Sequence, residues 1–189
     1  MGRLDNRSLR QFKDHIKFTT EIEARLMELW AESSSSKCDW YVDNGVDNSG
    51  GYIKDGRDTS DVDFVASVGG EVLQLEMKFV PTYGKLSLKA ADVANYIRKG
   101  ASILFIFNYG KETLKVPPKR CIETHWGRIL DAHSSDFLRW GIMKPENVRK
   151  VREQEERVFI PYMGNKPGYI INSNSFRNYM RIRRLDSEV

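Results

Sequence analysis

Apolar residues recur at helical spacing near the start of the chain. Leu9, Phe12, Ile16, Ile22, Leu26, Leu29 and Trp30 predict helix over residues 9–31, with charged residues filling most of the gaps. Thr19-Thr20 before Glu21 also allows two helices meeting there. The serine run 33–36 ends the pattern, because serine favours local turns over helix continuation. Residues 38–60 are rich in Asp, Asn and Gly and predict a long loop holding a short strand or two. Two strands then follow, over Val62–Val68 and Val72–Val80, joined by the tight turn Gly69-Gly70. Pro81 closes the second strand.

From Leu86 to Lys99 the spacing predicts a helix with Leu88, Ala91, Val93, Ala94 and Ile97 inward, stopped by Gly100. Ser102–Phe107 is a continuous apolar run, expected of a strand buried on both faces. Beyond it, a helix is expected between Trp126 and Trp140, and another from Pro145 through the charged segment 146–157. Short strands are expected at 158–160 and 169–171, with a turn at 164–168 between them. The basic segment 176–185 reads as helical. No repeat or low-complexity linker divides the chain. This pattern predicts an α/β fold, a central mixed sheet of about four or five strands with helices on both faces.

Composition narrows the class. Of 189 residues, 40% are hydrophobic and 30% charged, as in an ordinary globular chain, and one domain spanning 1–189 is expected. The longest apolar run, Ile103 to Phe107, is far too short to cross a bilayer, and the N-terminal residues lack a signal-like apolar stretch. A cytoplasmic protein without a membrane partner is therefore expected. Cys38 and Cys121 stand far apart, and with His15, His125 and His133 they make no familiar zinc spacing. A net charge of +4 permits a polyanionic partner without requiring one. No Gly-x-Ser-x-Gly elbow, phosphate-binding Gly-Lys-Ser loop or Gly-x-Gly-x-x-Gly fingerprint occurs.

The hairpin carries the chemistry. Glu76 and Lys78 are two apart, so they share one strand face, while Leu75, Met77 and Phe79 take the other. Asp63 lies across the hairpin. Such alternation also occurs on solvated edge strands, but here an acid precedes it and a helix and buried strand follow. Asp63, Glu76 and a backbone carbonyl, that of Met77, offer hard oxygen ligands suited to Mg²⁺. Lys78 beside them stays charged and can steady a phosphate transition state. Phosphodiester hydrolysis is the reaction this set suits.

Val62-Asp63-Phe64 followed by Leu75-Glu76-Met77-Lys78 resembles the PD-(D/E)XK nuclease superfamily, which includes restriction endonucleases and Holliday-junction resolvases. Val62 stands where that family often has proline. The resemblance covers about the first half of the chain, and the order helix, strand, strand, helix, strand read over 9–107 fits its core. It implies a restriction-endonuclease-like catalytic core at about 9–110, with an extension over 111–189 packing on it and contacting nucleic acid. It also implies Mg²⁺-dependent DNA cleavage, with Mn²⁺ substituting, and an added acid from the first helix. Glu23 is favoured for that role over Glu21 on face periodicity, and Asp61 is a further candidate. The catalytic set is then Glu23, Asp63, Glu76 and Lys78. Candidate DNA contacts are Lys85 and Lys89, Lys119 and Arg120, and the cluster Arg177, Arg181, Arg183 and Arg184 with its interleaved aromatics. Cutting both strands would need two active sites, hence a homodimer. Two rivals stand beside this reading: a catalytically inactive nucleic-acid-binding protein on the same fold, and an RNA-cleaving nuclease.

Overall fold

The computed structural model describes residues 23–44, 62–80, 84–109, 138–161 and 165–185. Helix α1, residues 23–32, buries Leu26, Met27 and Trp30 completely. It ends where Ser33 N–H turns back to the Trp30 carbonyl at 3.2 Å and Ser36 Oγ donates to the Ser33 carbonyl at 2.8 Å. Strand β1 (Cys38–Asp43) lies in the Asp- and Asn-rich stretch. Strands β2 (Phe64–Val68) and β3 (Glu71–Val80) form the expected hairpin. Gly69 and Gly70 turn it with φ of 59° and 83°, a pair of left-handed residues that matches the twist of the flanking strands.

Strand β4 (Lys85–Lys89) leads into helix α2 (Ala90–Lys99), which is capped by Gly100 at φ 64°. Strand β5 (Ser102–Asn108) is buried at every position. Strand β6 (Leu138–Met143), helix α3 (Pro145–Gln154), and strands β7 (Arg157–Ile160) and β8 (Lys166–Asn172) come next. A 3₁₀ turn (Ser173–Asn178) and the short strand β9 (Arg183–Arg184) complete the described chain.

Six strands form a mixed sheet in the order β1-β2-β3-β5-β6-β9, in which β3 and β5 are parallel and the other neighbours antiparallel. A second, antiparallel sheet runs β4-β8-β7. Side chains of β5 alternate between two cores. Leu104 and Ile106 pack with Leu75, Met77 and the apolar stripe of α1. Ile103, Phe105 and Phe107 pack with Val93 and Tyr96 of α2 and Val148 and Val151 of α3. Helices thus cover both faces of the mixed sheet, giving the α/β layering expected.

Several expected elements take another form. Residues 85–89 are strand, because Leu86 and Leu88 alternate with Lys85, Ser87 and Lys89 at period two and bury against β8. Helix α2 accordingly starts at Ala90, and its inward stripe is Val93 and Tyr96. Ala91 and Ala94 face solvent, since the bulkier residues set its rotation. The helix expected at 126–140 falls mostly outside the described residues, and its final part, from Leu138, is strand. Segment 176–185 is a 3₁₀ turn and a strand rather than an α-helix, with Phe176, Met180 and Leu185 buried at irregular spacing. The described strands number nine in two sheets, where about four or five in one were expected.

Gly168 was expected in a turn but lies inside β8. A Cβ there would meet the Leu88 carbonyl oxygen at 2.4 Å and Ile160 Cδ1 at 2.5 Å. The central strand of the smaller sheet has room at this point for a backbone alone. Gly168→Ala should therefore cost about 1–3 kcal/mol of stability, the scale of overpacking a tight core. A urea midpoint equal to wild type would contradict this packing.

Candidate active site

Asp63 stands one residue before β2, not inside it as the hydrophobic pattern suggested. The end of β1 pins it there. Asn44 N–H bonds the Asp63 carbonyl at 3.0 Å, and Asn44 Nδ2 donates to the Val62 carbonyl at 2.8 Å. The Asp63 carboxylate then crosses to β3, where Oδ2 accepts the Met77 N–H at 2.9 Å. That bond seats the acid at the Glu76–Met77 peptide.

Glu76 and Lys78 share the face of β3 turned toward α2, while Leu75 and Met77 are buried toward α1. Lys78 Nζ donates to Glu76 Oε1 at 2.6 Å. The same oxygen accepts the Tyr96 hydroxyl at 3.0 Å, and Lys78 Nζ lies 6.0 Å from the Tyr96 ring centre. The Lys78 side chain keeps 36% of its surface exposed and Glu76 16%, so the pair opens to solvent on one side. These hydrogen bonds engage one oxygen of each carboxylate.

The electrostatics bring in a third acid. Burial is the main force raising Glu23 to about 7; Lys78 opposes it, while Asp63 and Glu76 push the same way. Asp63 is raised to about 6, first by burial and then by Glu76, against the pull of the Met77 N–H and Lys78. For Lys78, burial lowers the ammonium pKa, but Tyr96, Glu76 and Asp63 outweigh it and hold the group above the ordinary lysine range. Burial, with Glu76 nearby, raises the Tyr96 hydroxyl, which stays a proton donor. Glu23, Asp63, Glu76 and Lys78 are thus one interacting cluster. Among the described residues, no three His, Cys, Asp or Glu side chains lie close enough to enclose a metal ion by themselves.

Two members escaped the sequence pattern. Tyr96 lies one turn after Val93 on the inward stripe of α2, and a buried tyrosine hydroxyl calls for a partner; that was the available signal. Asp43 pairs with Phe64 across β1 and β2 and adds to the charge that raises Asp63. Only the general richness of its neighbourhood in acids marked it.

The remaining candidates are dispersed. Lys85 is exposed on β4 and Lys89 ends that strand at the N-cap position of α2, so both belong to the second sheet rather than to the surface of a helix. Lys119, Arg120, Glu21 and Asp61 lie outside the described residues. Arg183 is held within the fold, its guanidinium 5.2 Å from the Trp140 ring centre and its Nη1 donating to the Ser35 carbonyl at 3.0 Å. Arg177, Arg181, Arg183 and Arg184 line a groove of about 550 Å³ with Arg139 and Tyr109. No helix among the described residues is long and apolar enough to cross a membrane.

No protein-family model and no curated protein matches this chain. Among solved structures it is similar to Archaeoglobus fulgidus Hjc, a Holliday junction resolvase from an archaeal hyperthermophile. The identity is 14%, over 86% of this chain and 87% of that one, with a TM-score of 0.37. A likeness at that level carries no weight for the fold or the function of this chain, which rest on its own geometry.

The raised acids make stability depend on pH. Both folded-state values exceed the ordinary 4.5 and 3.8, so the folded state binds more protons than the unfolded one. This contribution to stability is complete below about pH 4 and is lost as pH rises through about 6 and 7. Glu23→Gln removes its share of the loss. Without divalent metal, its melting temperature should gain on wild type between pH 5 and pH 8; a constant difference would place Glu23 outside the cluster.

Proposed function

We propose that this protein is a Mg²⁺-dependent nuclease of the PD-(D/E)XK type that hydrolyses DNA phosphodiester bonds. The observation that carries the reading is the Asp63 carboxylate bonded to the Met77 N–H, beside a Glu76–Lys78 pair on the adjoining face. The donor chemistry fits Mg²⁺, which is commonly bound by one or two carboxylates together with waters and substrate phosphates rather than by a full protein cage. Asp63, Glu76 and the Met77 carbonyl would hold it. Such a site does not require three gathered acidic side chains, and burial together with neighbouring acids, which raises Asp63 and Glu23, disfavours charge that a bound cation would offset.

When bound, the ion lowers the pKa of a coordinated water and offsets charge on the phosphate. The protein's own groups do the rest. Tyr96 fixes one oxygen of Glu76 through its hydroxyl and so limits the carboxylate's rotation. Lys78, held charged, orients the attacking water and faces the negative charge that builds on the phosphoryl oxygens. Glu23 adds a carboxylate near neutrality to the same cluster, able to support a second metal. Cutting both strands of a duplex calls for two such sites, which a homodimer supplies.

Cleavage of supercoiled and branched DNA in Mg²⁺ tests the reading, with RNA as the parallel substrate. Asp63→Asn and Glu76→Gln should each abolish cleavage while DNA binding persists, since removing acid relieves repulsion toward phosphate. Full activity in either variant would end the assignment, and cleavage of RNA alone would favour the ribonuclease alternative.

Lys78→Ala should slow the single-turnover rate on the order of 10²-fold, the scale of losing one preorganised electrostatic group, with a much smaller change in affinity. A normal rate would mean that Lys78 serves only its ion pair with Glu76.

A further inference from the structure

The arginines that cluster in the sequence near residue 180 are not equivalent in the folded chain. Arg183 is engaged by Trp140 and Ser35. Arg177 and Arg181 are exposed, and neither forms an ion pair with a described acid. They line the 550 Å³ groove together with Arg183, Arg184, Arg139 and Tyr109, and no described Asp or Glu contributes to its lining. The Arg139 guanidinium lies 5.2 Å from the ring centre of Tyr109.

Strand register fixes where this groove stands. Lys78 pairs with Phe105, and Val80 pairs with Phe107, which in turn pairs with Arg139. Directly opposed residues share a sheet face, so Arg139 stands on the face of Lys78. It is two strands across and two residues along. At about 4.8 Å per strand and 3.3 Å per residue, the two backbone positions are about 12 Å apart. Arg184 extends the same row onto β9 by pairing with Arg139.

Guanidinium groups concentrated in one groove create a local positive potential, and their forks match phosphate oxygens. A duplex presents one negative charge per about 1.7 Å of its axis. Its major groove is about 12 Å wide, close to the backbone separation of Lys78 and Arg139. We infer that this groove is a backbone-binding subsite that grips duplex DNA through its phosphates, without reading sequence. The inference takes its ligand from the nuclease reading, but its test needs no cleavage.

The test uses the full chain carrying Asp63→Asn, without divalent metal, and follows the anisotropy of a labelled DNA duplex between about 50 and 200 mM salt. Adding Arg177→Ala and Arg181→Ala should weaken binding about tenfold or more at the low-salt end. The slope of log K against log salt should become shallower by about 1.8, or 0.9 for each lost phosphate contact. Arg149→Ala with Lys150→Ala, on the exposed side of α3, removes the same charge and should leave the slope unchanged. Arg177→Gln with Arg181→Gln keeps the side-chain stems and should reproduce the loss if the alanine pair folds poorly. Unchanged affinity and slope in the folded variants overturn the inference, as does an equal loss in the α3 control. Binding to anionic lipid vesicles that depends on these arginines, with DNA affinity unaltered, would assign the groove to a membrane surface instead. A protein that binds DNA through the groove but never cleaves it refutes the nuclease reading alone.

Discussion

The layers of this fold depend on β5, a strand with no exposed side chain. Its odd-numbered residues 103, 105 and 107 support α2 and α3, and Leu104 and Ile106 support α1. Because β5 is buried on both faces, its neighbours cannot slip by one residue without exchanging the two cores. Register along β3 is therefore fixed, with Glu76 beside Ile103 and Lys78 beside Phe105. The position of two charged side chains on one face of β3 is a consequence of apolar packing one strand away.

Against that rigid background the charged cluster is locally unfavourable. Asp63 and Glu23 are both raised by burial and by neighbouring acids, and Lys78 offsets only part of the cost. Stability elsewhere maintains the arrangement, as is common at sites where groups are held ready for a ligand. The ordered network through Met77 N–H, Glu76 Oε1 and the Tyr96 hydroxyl restricts how the cluster could relax by rotating its side chains. Only a bound cation or protonation would relieve it.

The sequence made the central elements legible where one period dominates. Ile103 to Phe107 is a continuous apolar run just after Gly100, and the hairpin 64–80 is long, regular and turned by Gly69-Gly70. Residues 85–89 misled because Leu86 and Leu88 satisfy a helical pattern only if continued into Val93. Their pairing with β8, some 80 residues away, is a tertiary fact that local propensity does not encode. Phe176 and Met180 stand four apart as on one helical face, yet Leu185 buries against the other core as the chain bends. For the candidate site, a spacing of two residues on one strand was readable. The contact of Tyr96 with Glu76 was not, since it depends on how α2 is rotated over the sheet.

The closure of the mixed sheet by β9 has a temporal side. Ser35 Oγ donates to the Arg184 carbonyl at 2.7 Å across a separation of 149 positions. At ribosomal rates of about 5–20 residues per second, Arg184 emerges on the order of 10 s after Ser35. Until then Trp140 lacks the Arg183 guanidinium over its ring and the carbonyl that its indole N–H meets at 3.2 Å. A nascent chain can already hold Asp63, Glu76 and Lys78 while the arginine groove does not yet exist. The molecule thus acquires its acidic cluster early in synthesis and its cationic surface late.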